Sequence, residues 1–120
     1  MPVGSPYTAI VRAGDFLICS GQLGIGENGL VKGVHAQVNQ AMHNVSALLA
    51  AKESGLHSIV KTTVFLTDMA NYAEMNEAYI AFFEGAPPAR SAVAVAGLPL
   101  DALVEIEAWA YAPGAAAARL

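Results

Sequence analysis

The charged residue with the most informative surroundings is Arg90. It follows Pro87-Pro88-Ala89 and precedes Ser91 to Leu100, ten residues that carry no charge. A guanidinium at the start of an apolar strand is costly to desolvate unless it binds an anion. Its planar fork can bind a carboxylate through two parallel hydrogen bonds. Arg90 is therefore either a clamp for a ligand carboxylate or an ordinary surface arginine at the start of a strand.

Two glutamates could supply acid–base chemistry. Glu105 and Glu107 lie two apart in the last predicted strand, so both side chains point to one face, together with Leu103, Trp109 and Tyr111. A carboxylate among such neighbours is partly desolvated, which raises its pKa and suits proton transfer near neutral pH. The alternative is a solvent-facing edge strand that carries two ordinary glutamates.

Metal and thiol chemistry are not indicated. His35 and His43 are eight residues apart on a predicted helix, about 12 Å along its axis, which is too far for one ion. Cys19 is the one cysteine, so it can form neither an internal disulfide nor a thiolate cluster. The glycines between Gly21 and Gly29 lack the spacing and the lysine of a phosphate-binding loop. We expect no metal site.

Composition excludes several classes of protein. The chain has 120 residues, enough for one domain, and its 55% hydrophobic and 13% charged content excludes intrinsic disorder. A net charge of −4 without a basic cluster argues against nucleic-acid binding. The longest stretch without charge, residues 33–51, is too rich in amides and histidines to span a membrane. With no secretion signal at the start, we expect a cytoplasmic protein.

The low charge content also bears on assembly. A small domain has an unfavourable ratio of surface to volume and ordinarily exposes more charge than this one carries. We therefore expect part of its surface to be buried against copies of itself.

The elements that must position these residues form an α+β domain. Turn residues at 13–15 predict a hairpin between two strands, and the glycines from Gly21 to Gly29 predict a loop. Three further strands are predicted at Ile59–Thr67, Ser91–Ala96 and Leu103–Tyr111. The order β-β-α-β-α-β-β predicts a mixed sheet with the helices on one face. We assign residues 1–112 to this single domain and residues 113–120 to a low-complexity tail.

Both helices are predicted from apolar residues at intervals of three and four. The first stripe runs from Val34 to Leu49, and Gly55 is placed for a left-handed C-terminal cap. The second runs from Tyr72 to Phe83, and Asn71 with Glu74 resembles a capping box.

The spacing of Arg90 and Glu105, together with the residues around them, resembles that of a known protein family. They lie within Pro-Ala-Arg-Ser-Ala-Val-Ala-Val-Ala-Gly-Leu-Pro and Val-Glu-Ile-Glu-Ala, which together resemble the signature of the RidA/YjgF family. Cys19-Ser20-Gly21-Gln22, Val60 to Leu66 and Asn76 to Phe83 resemble further family segments in the same order, so the resemblance covers nearly the whole chain. It implies a chorismate-mutase-like fold, and a homotrimer with three ligand sites at subunit interfaces.

The resemblance also implies an activity. Members hydrolyse reactive enamine and imine intermediates of the 2-aminoacrylate type to a 2-keto acid and ammonia, as 2-iminobutanoate/2-iminopropanoate deaminases, without a metal or organic cofactor. Arg90 would hold the substrate carboxylate, and Glu105 would position the attacking water and transfer its proton. Substrate binding would further involve backbone groups of Gly21 and Ala92, and the pocket residues Tyr7, Ser20 and Asn76.

Three departures from the family pattern concern this site. Ser5 precedes Pro6-Tyr7 where glycine is commoner, Ala92 stands where cysteine is frequent, and Gly97 replaces a larger, often basic residue. The competing hypothesis is a non-catalytic module that binds small carboxylates such as 2-keto acids through Arg90. Retention of Glu105 favours the enzyme, because a carboxylate sensor needs only the arginine.

Overall fold

The computed structural model describes residues 4–114. Seven strands and two helices follow one another as β1 Ile10–Ala13, β2 Phe16–Leu23, β3 Ile25–Gly26, β4 Gly29–Leu30, α1 Val34–Ala50, β5 Ile59–Leu66, α2 Tyr72–Ile80, β6 Ala89–Ala94 and β7 Val104–Tyr111. The main sheet has the strand order β1-β2-β7-β5-β6. Its pairs are antiparallel except β5 and β6, which run parallel. The predicted mixed sheet with two helices on one face is confirmed.

The hydrophobic core lies between the helices and one face of the sheet. Alternate residues of β7 and β5 point into it, as the two-residue period of a strand requires. They pack against the apolar stripe of α1, and α2 covers the β5 end of the sheet. The fully buried core side chains include Leu17, Val38, Met42, Val45, Leu49, Val64, Leu66, Met75, Val104 and Ile106. On the other face of the sheet, the open face, no helix of residues 4–114 packs.

A buried glutamine anchors the start of β7. The Gln37 side chain donates a hydrogen bond to the Val31 carbonyl (3.0 Å) and accepts one from the Leu103 backbone N–H (2.8 Å). Gly24 allows this close approach, because a Cβ at that position would lie 2.6 Å from the Gln37 Cα. The Gln37 side chain thus fixes the strand that carries Glu105 relative to α1.

Several predicted details are wrong. Gly55 is extended, with φ −162°, and the left-handed conformation after α1 falls on Glu53 (φ 61°). The Asn71 side chain makes no capping hydrogen bond, and Asp68 instead accepts one from the Ala70 N–H at 2.9 Å. The Asp68 bond caps the short turn at Met69–Asn71 that leads into α2, one turn earlier than predicted.

The strand boundaries also differ from the prediction. Gly21 lies within β2 rather than in a loop, because pairing with β7 continues past a register shift between Cys19 and Gln22. The rest of the predicted loop contains the small β3–β4 hairpin. Strand β6 begins at Ala89, so Arg90 lies inside the strand. The predicted tail falls mostly on residues 115–120, outside the described residues.

Candidate functional site

One pocket lies on the open face of the sheet, at the junction of β2 and β7. Its volume is about 730 Å³. Four of the residues proposed from the sequence line it together: Tyr7, Ser20, Gly21 and Glu105. Its remaining lining residues are Gln22, Leu23, Ile25, Asn44, Pro99, Leu100 and Glu107.

The Glu105 carboxyl packs directly against the backbone of Gly21. A Cβ built at Gly21 would overlap Glu105 Oε1 and would lie 2.7 Å from its Cδ. Gly21 sits at the irregularity in the β2–β7 ladder between Cys19 and Gln22, just before Leu23 pairs with Glu105. The absence of a side chain at this position therefore makes the space that the carboxyl occupies.

The surroundings of Glu105 make its carboxylate a stronger base than that of an ordinary glutamate. The side chain is half-buried, and desolvation is the main cause that raises its pKa above the ordinary value. The neighbouring carboxylate of Glu107 raises the pKa of Glu105 further. A carboxyl with a raised pKa exchanges protons with a bound water or substrate more readily near neutral pH than an ordinary glutamate does.

Ser20 ties the N-terminal segment to this pocket. Its hydroxyl donates a hydrogen bond to the Thr8 carbonyl at 2.6 Å, and its N–H donates to the Ala9 carbonyl at 2.8 Å. These two bonds place Tyr7, whose side chain is 59% exposed, at the rim of the pocket.

Arg90 is held by helix α2. Its guanidinium donates hydrogen bonds to Asn76 Oδ1 (2.7 Å) and to the Tyr72 hydroxyl (3.1 Å). Its Cζ lies 5.0 Å from the centre of the Tyr79 ring, within the range of a cation–π contact. The Tyr79 hydroxyl shares a 2.6 Å hydrogen bond with Thr62, and its ring is buried. The guanidinium is thus preorganised by neutral side chains, and no acidic residue among those described pairs with it.

A second pocket, of about 640 Å³, opens beside Arg90. Asn76 and Tyr79 line it as well. The rest of its wall is formed by Ala73, Glu77, Ile80, Pro87 and Pro88.

Within one chain the two pockets lie on opposite faces of the sheet. Arg90 pairs with Thr62, whose side chain is buried beneath the helices. Glu105 pairs with Phe65, whose side chain alternates with buried residues and points to the open face. The residues proposed from the sequence therefore form two groups, Arg90 with Asn76 and Glu105 with Tyr7, Ser20 and Gly21.

Ala92 lies on the outermost strand of the sheet. The Val95 N–H donates to the Leu66 carbonyl at 2.8 Å, so odd-numbered residues of β6 bond toward β5. Because alternate residues of a parallel strand bond to opposite sides, the backbone groups of Arg90 and Ala92 face the free edge. They are placed to bind a ligand or another chain.

Metal binding finds no support in residues 4–114, where no cluster of three or more His, Cys, Asp or Glu side chains could hold an ion. His35 and His43 are exposed on α1. Burial raises the pKa of Cys19 to about 11, so its thiol stays protonated and unreactive near neutral pH. No helix of the described chain is long and apolar enough to cross a membrane.

Sequence reasoning missed the tyrosines that flank Arg90. Tyr72 and Tyr79 were assigned to the apolar stripe of the second helix. Tyr72 lies four residues before Asn76 and Tyr79 three residues after it, so all three side chains share one helix face. This spacing was the sequence signal that could have grouped the tyrosines with Asn76. The structure also places Arg90 against this helix face, and this contact depends on the parallel pairing of β5 and β6.

The fold and its pockets define a class of protein: a two-layer α+β domain that offers a carboxyl on one face of its sheet and a guanidinium on the other. The family profile described as Endoribonuclease L-PSP matches residues 2–112. The chain belongs to this family, which includes the RutC and RidA proteins, and the RidA/YjgF resemblance is confirmed.

Curated relatives extend over most of the chain. A RutC family protein of Pyrococcus horikoshii is 44% identical over 115 residues, covering 92% of this chain and 89% of that protein. Reactive Intermediate Deaminase A of Arabidopsis thaliana chloroplasts is 39% identical, covering 85% of this chain and 56% of that longer protein. The family therefore includes proteins named as deaminases.

Solved structures confirm the fold. RidA from an Antarctic Psychrobacter bacterium superposes with a TM-score of 0.86 at 37% identity, covering 92% of this chain and 91% of that one. E. coli TdcF with bound serine superposes with a TM-score of 0.85 at 36% identity, covering 89% and 88%.

Proposed function

We propose that the protein is a hydrolytic deaminase of reactive enamine and imine intermediates of the 2-aminoacrylate type, and that it releases a 2-keto acid and ammonia. The observation that carries this proposal is the Glu105 carboxyl, set against Gly21 in a half-buried pocket that raises its pKa. The deaminase name of the Arabidopsis relative supports the same reaction class.

The reaction needs one water and one group that moves its protons. The enamine first takes a proton at its terminal carbon and becomes the 2-imino acid. Glu105 accepts a proton from water as the water oxygen bonds to the imine carbon, and the proton passes to nitrogen. Collapse of the resulting amino alcohol breaks the carbon–nitrogen bond, so imine and water give keto acid and ammonia. The proton that the enamine takes at carbon comes from solvent. Glu105 serves the two later transfers, from the water to nitrogen and then from the hydroxyl of the amino alcohol to the departing amine, and no cofactor enters the scheme.

The substrate carboxylate is the natural partner of Arg90. A guanidinium already held by Asn76 and Tyr72 keeps further N–H donors for an anion, and fixing the substrate lowers the entropic part of the barrier. Backbone groups of Ala92 at the free edge of β6 would assist. Because Arg90 and Glu105 face opposite sides of the sheet, one substrate can meet both only if they come from different chains.

We propose that a homotrimer completes the site, with Arg90, Asn76 and Ala92 from one subunit and Glu105, Gly21, Ser20 and Tyr7 from its neighbour. The open face supports this assembly, because it leaves large apolar side chains 40–50% exposed, among them Val11 46%, Val93 41%, Trp109 42% and Tyr111 50%. Such exposure is typical of a surface that another chain covers. Sedimentation equilibrium at micromolar concentration should give about three times 12.4 kDa, and a monomer mass would contradict the shared site.

The alternative is a module that binds small carboxylates without turning them over. The preorganised Arg90 cluster favours binding of this class, and the related E. coli TdcF was solved with bound serine. The deciding experiment generates imines in situ from several amino acids with an oxidase and follows release of the keto acid. Acceleration above the uncatalysed hydrolysis supports the deaminase. Saturable binding of 2-keto acids without any acceleration would establish the binding module instead.

A further inference from the structure

The loop between β6 and β7 has an unusual backbone at Leu100. Leu100 has φ 60° and ψ 22°, and Asp101 has φ 56°, so two successive non-glycine residues are left-handed. This conformation costs free energy for any residue with a Cβ, and such residues concentrate at functional sites. Leu100 is also 68% exposed, the largest exposed fraction of the large apolar side chains described.

Hydrogen bonds on the C-terminal side of Leu100 fix this conformation. The Ala102 N–H donates to the Pro99 carbonyl at 3.1 Å, and Ala102 itself is buried. Leu103 is held on both sides, through its N–H to Gln37 and through its carbonyl to the Thr67 N–H. The Leu100 side chain is therefore held away from the core, where it lines the pocket that contains Glu105.

The wall of this pocket has a definite chemical character. Leu100 joins Pro99, Leu23 and Ile25 as its apolar lining residues. The charged lining residues, Glu105 and Glu107, are both acidic, and no Lys, Arg or His of residues 4–114 lines the pocket. An apolar group can be buried here, whereas a second carboxylate would meet like charge and no cationic partner.

We propose that Leu100 is a specificity-determining residue that contacts the substrate side chain, and that the protein prefers imines of amino acids with apolar side chains over those with acidic side chains. This inference rests on the proposed deaminase activity and names its substrate class. Arg90 takes the one carboxylate that all 2-imino acids share. The side chain beyond the imine carbon then lies against Leu100, Leu23 and Ile25.

The experiment compares imines made in situ from alanine, leucine and glutamate by oxidases of matching specificity. The wild-type protein should show a kcat/KM for the leucine-derived imine about tenfold or more above that for the glutamate-derived one, the discrimination expected of an apolar pocket. Leu100→Asn removes the apolar contact and keeps a residue that tolerates the left-handed backbone. It should lower kcat/KM for the leucine-derived imine about tenfold and leave the alanine-derived imine within about twofold. Met69→Asn, which changes a 42% exposed apolar residue outside both pockets, is the matched control and should change neither value.

Binding of the corresponding 2-keto acids gives a second readout that needs no turnover. The keto acid with an isobutyl side chain should bind more tightly than the dicarboxylic one, and Leu100→Asn should reduce this difference. Equal losses for all three imines in Leu100→Asn would assign Leu100 a structural role and overturn the inference. A preference for the glutamate-derived imine and for the dicarboxylic keto acid would overturn it as well. Side-chain-selective binding without hydrolysis of any imine would refute the deaminase but uphold the role of Leu100.

Discussion

Replacement of Gly21 by alanine should inactivate the protein without unfolding it. The added Cβ would lie 2.7 Å from Glu105 Cδ, where ordinary contacts begin at 3.4 Å. Because Oε1 lies closer still, the carboxyl must retreat by at least about 0.7 Å, close to the 1 Å misplacement that costs about 100-fold in rate. We expect kcat/KM to fall about 100-fold, equivalent to about 2.7 kcal/mol of transition-state stabilisation.

The melting temperature of the Gly21→Ala protein, unlike its activity, should not fall. Gly21 has no positive φ, so alanine fits its backbone. Such a replacement stabilises a protein by about 0.4–1 kcal/mol through the unfolded state, offset here by the shift of one side chain. The melting temperature should therefore stay the same or rise slightly.

Gly97→Ala is the matched control for this experiment. A Cβ there meets nothing within 4 Å and the backbone φ is not positive, so activity should stay near the wild-type value and the melting temperature should rise slightly. Keto-acid release and thermal melts of the two variants would be measured side by side. Wild-type turnover by a folded Gly21→Ala protein would refute the idea that the position of the Glu105 carboxyl controls the reaction.

Three further outcomes are expected. Glu105→Gln should abolish imine hydrolysis while keto-acid binding persists, because the amide keeps the shape of the side chain but cannot accept a proton. Glu107→Gln should keep a turnover rate within a few-fold of the wild type. The opposite pattern would assign the catalytic role to Glu107 instead. Arg90→Lys should lose about 2–3 kcal/mol of transition-state stabilisation in kcat/KM assays, because an ammonium cannot form the paired hydrogen bonds of the guanidinium, and near-native turnover would make Arg90 structural. Thermal melts should show Glu105→Gln more stable than the wild type at about pH 7 and equal to it at about pH 3. Burial raises the pKa of Glu105 in the folded state, so ionisation of Glu105 destabilises the wild-type protein above that pKa. Below the pKa of the unfolded state both side chains are neutral, and the difference disappears. A constant difference across this range would contradict the cause assigned to the raised pKa.

Local sequence patterns were sufficient for the elements but not for the contacts between them. Turn residues placed the β1–β2 hairpin, and alternation in β7 put Glu105 and Glu107 together on one face, which the structure shows to be the open face. The left-handed residue after α1 was predicted at the wrong position, because Glu53, against its intrinsic preference, takes the conformation that Gly55 could have adopted. Propensity is a weak prior, and the surrounding chain overrides it at such positions.

The residues of the candidate site could be predicted from the sequence, but the contacts between them could not. Residue types and the family resemblance selected Arg90 and Glu105, yet nothing local reveals that Gly21 makes the space for the carboxyl. That contact depends on the register between β2 and β7, which includes an irregularity at Gly21. Likewise, the support of Arg90 by Tyr79 depends on the crossover from β5 through α2 to β6.

The placement of Arg90 and Glu105 on opposite faces has a genetic consequence. In the proposed trimer, each site takes one of these residues from one subunit and the other from its neighbour. Two chains that are each inactive alone, Arg90→Lys and Glu105→Gln, would then complement each other when coexpressed. Random assembly from equal amounts leaves about a quarter of the sites with both native residues, because each of the two contributions is native half of the time. A population that carries both alleles would thus keep part of its activity, although neither allele encodes a working protein.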